Sequence, residues 1–136
     1  MGQKEDCIFC KIVKGEISCY KIYEDDFSIA FLDAFPFSKG QTLVIPKQHL
    51  APWLFDLDDK IYSSLMIVSK KIAKAVDKTM KPLKTGLLVE GLEFEHVHIK
   101  VCPLSKEGFT KITNPIPKLS DEEMKEITEK IKKNLE

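Results

Sequence analysis

Residues 96–102 place groups capable of chemistry at every second position. Because successive side chains of a β-strand point to opposite faces, this spacing predicts one reactive and one apolar face. A half-solvated antiparallel strand shows the same alternation, so the pattern by itself also fits an ordinary sheet. Imidazole, ammonium and thiol groups together on one face make the segment a candidate site. The reactive face comprises His96, His98, Lys100 and Cys102, and the apolar face comprises Val97, Ile99 and Val101.

A second candidate is the pair Cys7 and Cys10, whose spacing lets one turn of chain present two thiolates to one metal ion. A redox pair or two ordinary buried cysteines would show the same spacing. A thioredoxin-type redox pair normally follows a strand of a βαβ unit, whereas only six residues precede Cys7. The sequence therefore favours a metal site, with a small redox protein as a weaker alternative.

The charge composition excludes several classes of partner. The chain has 136 residues, with 21 basic and 21 acidic side chains, and every basic residue is lysine. This balance does not favour a nucleic-acid partner, and no apolar run is long enough for a membrane span, so we expect a cytoplasmic protein. Without arginine, a phosphate would have to be bound by backbone amides, histidine, hydroxyl groups or lysine.

The order of predicted elements indicates an α+β domain with an antiparallel sheet. One long helix has an apolar stripe and ends before Pro82, and a capping box at Ser120 opens a C-terminal helix. A tight turn at Gly91 is expected between the last two strands. The predicted strands are 19–24, 27–33, 41–45, 87–90 and 96–102, and the predicted helices are 57–80 and the one beginning at Ser120.

Several stretches of the chain, taken in order, resemble the histidine-triad (HIT) family. The resemblance spans residues 7–103 and leaves 104–136 as a C-terminal helical extension of a single domain, 1–136. It implies the HIT-like α+β fold and a homodimer formed through the long helix and neighbouring strands. The matching segments are 7–17, 30–33, 42–49 and 91–103.

The resemblance also implies a zinc site. In some members of the family a similar cysteine pair binds zinc together with two histidines, one after the Ile-Pro-Lys segment and one at the start of the triad. Two sulfur and two nitrogen ligands are typical of structural zinc, which braces a fold without activating water. The corresponding residues are Cys7, Cys10, His49 and His96.

By the same resemblance, His98 is the nucleophile that attacks the α-phosphate of a nucleoside phosphate derivative. Lys100 replaces the third histidine of the triad, and it would either stabilise phosphate charge or weaken catalysis. Leu92 and Glu93 depart from the family pattern. Leu92 replaces a glutamine that donates a hydrogen bond to the phosphate, and Glu93 replaces a small hydrogen-bonding residue. Gln41 stands where a histidine is often found.

A purine nucleotide pocket is the remaining implication of the resemblance. Ile8, Phe9 and Ile12 would flank the purine ring, and Asp33 would accept hydrogen bonds from the ribose hydroxyls. Core packing is the alternative for the three apolar residues, and a turn is the alternative for Asp33.

The leading hypothesis is therefore a hydrolase or transferase that acts on nucleoside phosphoramidates or dinucleoside polyphosphates through a nucleotidyl intermediate on His98. The alternative is a zinc-stabilised nucleotide-binding or sensor protein with little or no catalysis, because of Lys100, Leu92 and Glu93. The leaving group and the base are left open by the sequence.

Overall fold

A computed structural model describes residues 4–111 and 116–135, and it confirms the predicted α+β fold. The five strands form one antiparallel sheet in the order β1-β2-β3-β5-β4. Two short 3-10 turns, Leu54–Asp56 and Gly108–Lys111, lie between the regular elements. Those elements are α1 (Ile8–Val13), β1 (Lys21–Glu24), β2 (Ser28–Leu32), β3 (Thr42–Pro46), α2 (Asp59–Met80), β4 (Lys84–Leu88), β5 (Ile99–Leu104) and α3 (Asp121–Lys133).

Helix α2 covers one face of the sheet, as its apolar stripe predicts. Asp58 caps the helix by accepting a hydrogen bond from the backbone N–H of Ile61. The buried side chains of the helix pack against Ile99 and Val101 of β5, the apolar residues of the alternating segment. No helix within residues 4–111 and 116–135 is long and apolar enough to cross a membrane. The buried stripe consists of Leu65, Val68, Ile72 and Val76.

The opposite face of the sheet is covered by the short helix α1. Strands β2 and β3 are buried on both sides, so consecutive residues contribute to different cores. Ala30 and Val44 belong to the α2 side, whereas Phe31 and Leu43 pack with Phe9 of α1. This second, smaller core fixes α1 against the sheet.

Helix α3 begins with the predicted capping box, in which Ser120 and Glu123 exchange side chain–backbone hydrogen bonds. Its buried residues Met124 and Ile131 join the core on the α2 side. Helix α3 therefore packs onto α2 and onto strand β1 of the sheet.

The prediction of a strand over 96–102 after a tight turn is wrong in its bounds. Strand β5 begins at Ile99, and an irregular segment joins it to β4, which ends at Leu88. Pro46 explains the late start, because it has no N–H to extend the β3–β5 ladder beyond the pair Val44–Ile99. Gly91 does turn the chain, with a φ of 64° and the ring of Trp53 close behind it.

We expect Ile72→Ala to lower the free energy of unfolding by about 2–5 kcal/mol, since Ile72 is fully buried between α2 and the sheet. Urea denaturation measures the change. Ile67→Ala on the same helix is the matched control, because Ile67 is 68% exposed and its truncation should change stability by about 0.5 kcal/mol or less. Equal losses for the two variants would contradict the packing described here.

Candidate functional site

The four residues predicted to bind metal lie together in the structure. The ligand atoms of Cys7, Cys10, His49 and His96 are all within 4.8 Å of one another. The Sγ atom of Cys10 is 3.3 Å from Nδ1 of His49 and 3.5 Å from Nδ1 of His96. The Sγ atom of Cys7 is 3.4 Å from the same nitrogen of His96. Bond lengths to zinc imply a sulfur–nitrogen edge of roughly 3.5 Å in a tetrahedral site, so this group fits such an ion.

His96 is held in the tautomer that metal binding requires. Its Nε2 atom lies 2.8 Å from the carbonyl oxygen of Pro46, which can only accept a hydrogen bond. Nε2 therefore carries the proton, and Nδ1, which faces the two sulfurs, has a free electron pair. Burial of the ring lowers the pKa of His96 to about 4, so the imidazole is neutral at physiological pH.

The start of helix α1 presents the two sulfurs. Cys7 is the N-cap residue, and its Sγ accepts a hydrogen bond from the backbone N–H of Cys10. The backbone N–H of Lys4 donates to Sγ of Cys10 in the same way. Burial raises the pKa of the Cys10 thiol, so a bound cation would be needed to favour the thiolate. These contacts give the group the outer hydrogen bonds that orient metal ligands.

His98 is connected directly to this cluster. Its Nδ1 atom donates a hydrogen bond of 2.8 Å to the carbonyl oxygen of His96. This bond places the proton on Nδ1 and leaves Nε2 unprotonated, the form in which a histidine can attack phosphorus. Burial lowers the pKa of His98, which favours the neutral ring.

The phenyl ring of Phe9 connects α1 to both histidines. Its centroid is 5.8 Å from that of His96 and 5.3 Å from that of His98, each at a steep angle. The ring of Phe94 lies 5.0 Å away on the irregular segment before β5. Phe9 packs in the smaller core and also lines the cavity, and its contact with a purine ring stays a prediction.

A cavity of about 840 Å³ opens beside His98. Its walls come from α1, the end of β2, the segment before β5 and β5 itself, and they are mainly apolar. The structure thus brings the residues predicted for the nucleotide site to one cavity, while the four candidate metal ligands lie outside its wall. The cavity-lining residues from the prediction are Ile8, Phe9, Ile12, Asp33, His98 and Lys100.

Asp33 serves as a turn residue and also lines the cavity. One carboxylate oxygen accepts the backbone N–H of Phe35, two residues further on. The other accepts a 2.8 Å hydrogen bond from the buried side chain of Gln41. No sequence pattern indicates this partner, because Asp33 and Gln41 become neighbours only when β2 pairs with β3.

Lys100 forms an ion pair that the sequence did not indicate. Its ammonium nitrogen is 2.8 Å from a carboxylate oxygen of Glu90, and both side chains line the cavity. Burial is the largest single effect and lowers the pKa of Lys100, but the hydrogen bond and charge of Glu90, together with the charges of Asp33 and Glu93, outweigh it. The net pKa is therefore raised and the lysine is charged. Cys102, two residues further along β5, is fully buried, and burial raises its pKa to about 12. The predicted reactive face therefore consists of a candidate metal ligand (His96), two residues of the cavity wall (His98 and Lys100) and a core residue (Cys102).

The model of the HIT domain family matches residues 14–107, more than half of the chain. The chain belongs to the HIT domain family. The adenosine 5′-monophosphoramidase hnt1 of Schizosaccharomyces pombe is 38% identical over 127 residues, which are 92% of this chain and 95% of that protein. The relatives of this HIT protein thus include a nucleotide hydrolase.

Solved structures agree with this assignment. A HIT-like protein from Bartonella henselae has a TM-score of 0.83 and 29% sequence identity, and the alignment covers 98% of this chain and 99% of that one. A zinc-bound histidine triad family protein from Mycobacterium smegmatis has a TM-score of 0.78 and 25% identity, with 95% and 92% covered. Family and fold are therefore confirmed, whereas the roles of individual residues, the homodimer and the cytoplasmic location stay predictions.

Mutation of both cysteines should remove metal from this HIT protein. We expect the purified protein to contain about one zinc ion per chain, and Cys7→Ser combined with Cys10→Ser to lose it and melt at a lower temperature, since binding to a folded site contributes folding energy. Elemental analysis and thermal melting measure the two effects. Cys19→Ser is the control, because Cys19 is outside the cluster. A metal-free wild type whose melting is unchanged by strong chelation would contradict the assignment.

Proposed function

We propose that this HIT protein cleaves nucleoside phosphate derivatives, by hydrolysis or by transfer of the nucleotidyl group through His98. The observation that supports this most is the hydrogen bond from Nδ1 of His98 to the carbonyl oxygen of His96, beside a cavity that also contains Asp33 and Lys100. His98, Lys100 and Asp33 border this one cavity, and we assign them as nucleophile, partner of the phosphate charge and hydrogen-bond acceptor for the sugar. The activity of the adenosine 5′-monophosphoramidase relative is consistent with this chemistry.

The cavity suits a purine nucleotide. Its volume of about 840 Å³ lies within the range of about 300–1,000 Å³ that is usual for small-molecule sites. Ile8 and Ile12, one turn apart on α1, would contact the base, with Phe9 packed behind them. Asp33 already accepts two hydrogen bonds from the protein, and a carboxylate has further lone pairs for the ribose hydroxyls.

In the proposed reaction, Nε2 of His98 forms a bond to the α-phosphorus while the bond from phosphorus to the leaving group breaks. The leaving group departs with a proton from Lys100 or from water. A water molecule or another hydroxyl acceptor then attacks phosphorus and gives its proton to the base left by the first step, which is neutral Lys100 or hydroxide. The phosphorus–nitrogen bond breaks, and its electron pair returns to Nε2 of His98. The lysine, which we place at the position of the third histidine of the triad, would also offset the phosphate charge.

We propose zinc as the metal of the cysteine–histidine cluster, with a structural role. Cys7, Cys10, His49 and His96 would fill the coordination of the ion, so no position is left for a substrate. The ion would fix the start of α1 and the ring of His96. Because His98 donates a hydrogen bond to the carbonyl oxygen of His96, fixing His96 would also orient His98.

A second candidate function is nucleotide binding with little turnover. The ion pair of Lys100 with Glu90 favours it, because the lysine must leave or share this partner to act on a phosphate. Leu92, which is 84% exposed, and Glu93 also border the cavity and offer no side-chain donor to an anion. Incubation with adenosine 5′-phosphoramidate and a dinucleoside polyphosphate distinguishes the two functions, with AMP release and a covalent adduct measured by mass spectrometry.

Asp33→Ala should weaken binding of AMP by about tenfold, and binding of 2′-deoxy-AMP much less, because the analogue already lacks one hydroxyl partner of the carboxylate. Isothermal titration calorimetry gives both affinities. Asp26→Ala is the control, since Asp26 does not line the cavity. Equal losses of affinity for the two ligands would mean that Asp33 only stabilises the turn and does not contact the ribose.

His98→Ala should abolish AMP release and the covalent adduct while the protein still binds AMP, because the nucleophile is lost and the cavity walls remain.

Lys100→His tests the role of the lysine that replaces the third histidine of the triad. Higher turnover of this variant means that the lysine weakens catalysis, and lower turnover means that it acts as an acid or binds the phosphate. Activity that survives His98→Ala would exclude the mechanism in either form.

A further inference from the structure

The charges around the cavity are unusual for an anion-binding site. Among the described residues that line it, the acidic side chains are Asp33, Glu90 and Glu93, and Lys100 provides the single ammonium group. The lining is therefore net negative before any nucleotide enters.

The positive charge of Lys100 is already balanced. Its ammonium nitrogen is 2.8 Å from Glu90, and the two side chains are only 15% and 30% exposed. Salt screens a partly buried pair less than an exposed one, so the carboxylate offsets most of the field that the lysine would direct into the cavity. Asp33 and Glu93 then remain without an ammonium partner of their own on the cavity wall.

The position of Glu90 makes this contact a consequence of the fold. Lys100 pairs with Leu88 across β4 and β5, and Glu90 follows two residues after Leu88. Gly91 then turns the chain with a positive φ, against the ring of Trp53. The carboxylate is thus brought to the lysine by the sheet register and the turn, and both groups face the space beside His98.

We propose that Glu90 is a specificity-determining residue, which holds Lys100 and so selects ligands with few phosphate charges over polyphosphate chains. This inference rests on the proposed nucleotide site. Each additional phosphate would add negative charge next to Asp33 and Glu93 while Lys100 stays paired with Glu90. An uncharged or cationic leaving group avoids this repulsion, so it is accepted in preference to a second nucleotide on a phosphate chain.

The test compares the affinities for AMP, ADP and ATP in magnesium-free buffer, measured by calorimetry so that turnover is not needed. For the wild type we expect affinity to fall along the series. Glu90→Gln should raise the affinity for ATP relative to AMP by about fivefold, the effect of one pair of unit charges about 4 Å apart in water. Glu24→Gln is the matched control, because it removes a carboxylate that pairs with Lys21 and Lys47 outside the cavity.

Two outcomes would contradict the role of Glu90 and leave the proposed function intact. If AMP binds but the ratio of ATP to AMP affinity is unchanged in Glu90→Gln, Glu90 does not set the preference. If the wild type binds ATP more tightly than AMP, the net negative lining does not govern binding. Failure of the wild type to bind any of the three nucleotides would instead refute the proposed function on which the inference rests.

If Glu90→Gln does not fold, the salt dependence of nucleotide binding by the wild type tests the inference instead. Raising the ionic strength weakens most phosphate-binding sites, because it screens attraction. Here it should screen repulsion, so the wild-type affinity for ATP should rise relative to that for AMP. A relative loss of ATP binding with salt would contradict the role assigned to Glu90.

Discussion

The candidate site depends on the backbone and ring of one residue, His96. Its ring donates to the carbonyl oxygen of Pro46 and directs the other nitrogen to the two cysteine sulfurs. Its own carbonyl oxygen accepts the proton of His98. Since the ring is fully buried, neither contact competes with water. The carbonyl oxygen of Pro46 therefore determines the tautomer of His96, and the carbonyl oxygen of His96 determines that of His98. The chemistry of the cavity thus depends on how His96 is held.

Pro46 shows how the sheet makes room for this arrangement. A proline cannot donate to a neighbouring strand, so the β3–β5 ladder ends before it and its carbonyl oxygen is left for a side chain. The segment before β5 is then free to leave the sheet geometry. The loss of strand hydrogen bonds here is compensated by imidazole–carbonyl contacts that also orient the reactive ring.

Much of the fold could be predicted because it follows from local patterns. The α2 stripe and the Ser120 capping box are both readable from spacing. The four candidate metal ligands were also found, since the family resemblance supplied two remote histidines that spacing alone could not. The start of β5 was predicted wrongly because alternation does not report where hydrogen bonding ends.

The partners of the cavity residues could not be predicted, for a different reason. Gln41 reaches Asp33 through strand pairing, and Glu90 reaches Lys100 through the register of β4 with β5. Neither contact has a sequence signature, because each depends on which side chains a three-dimensional register makes adjacent. The sequence therefore predicted the chemical groups of the site more accurately than their electrostatic environment.

Helix α1 has only six residues, far too few to persist in water without other contacts. Its order comes from the cluster at its first turn and from Phe9, which packs on the sheet and on both histidines. Local opening of this helix would expose the cysteines and remove one wall of the cavity at the same moment. Amide protons of α1 would therefore exchange with solvent as one cooperative unit, separate from the global unfolding of the sheet, and occupancy of either neighbouring site would slow that exchange.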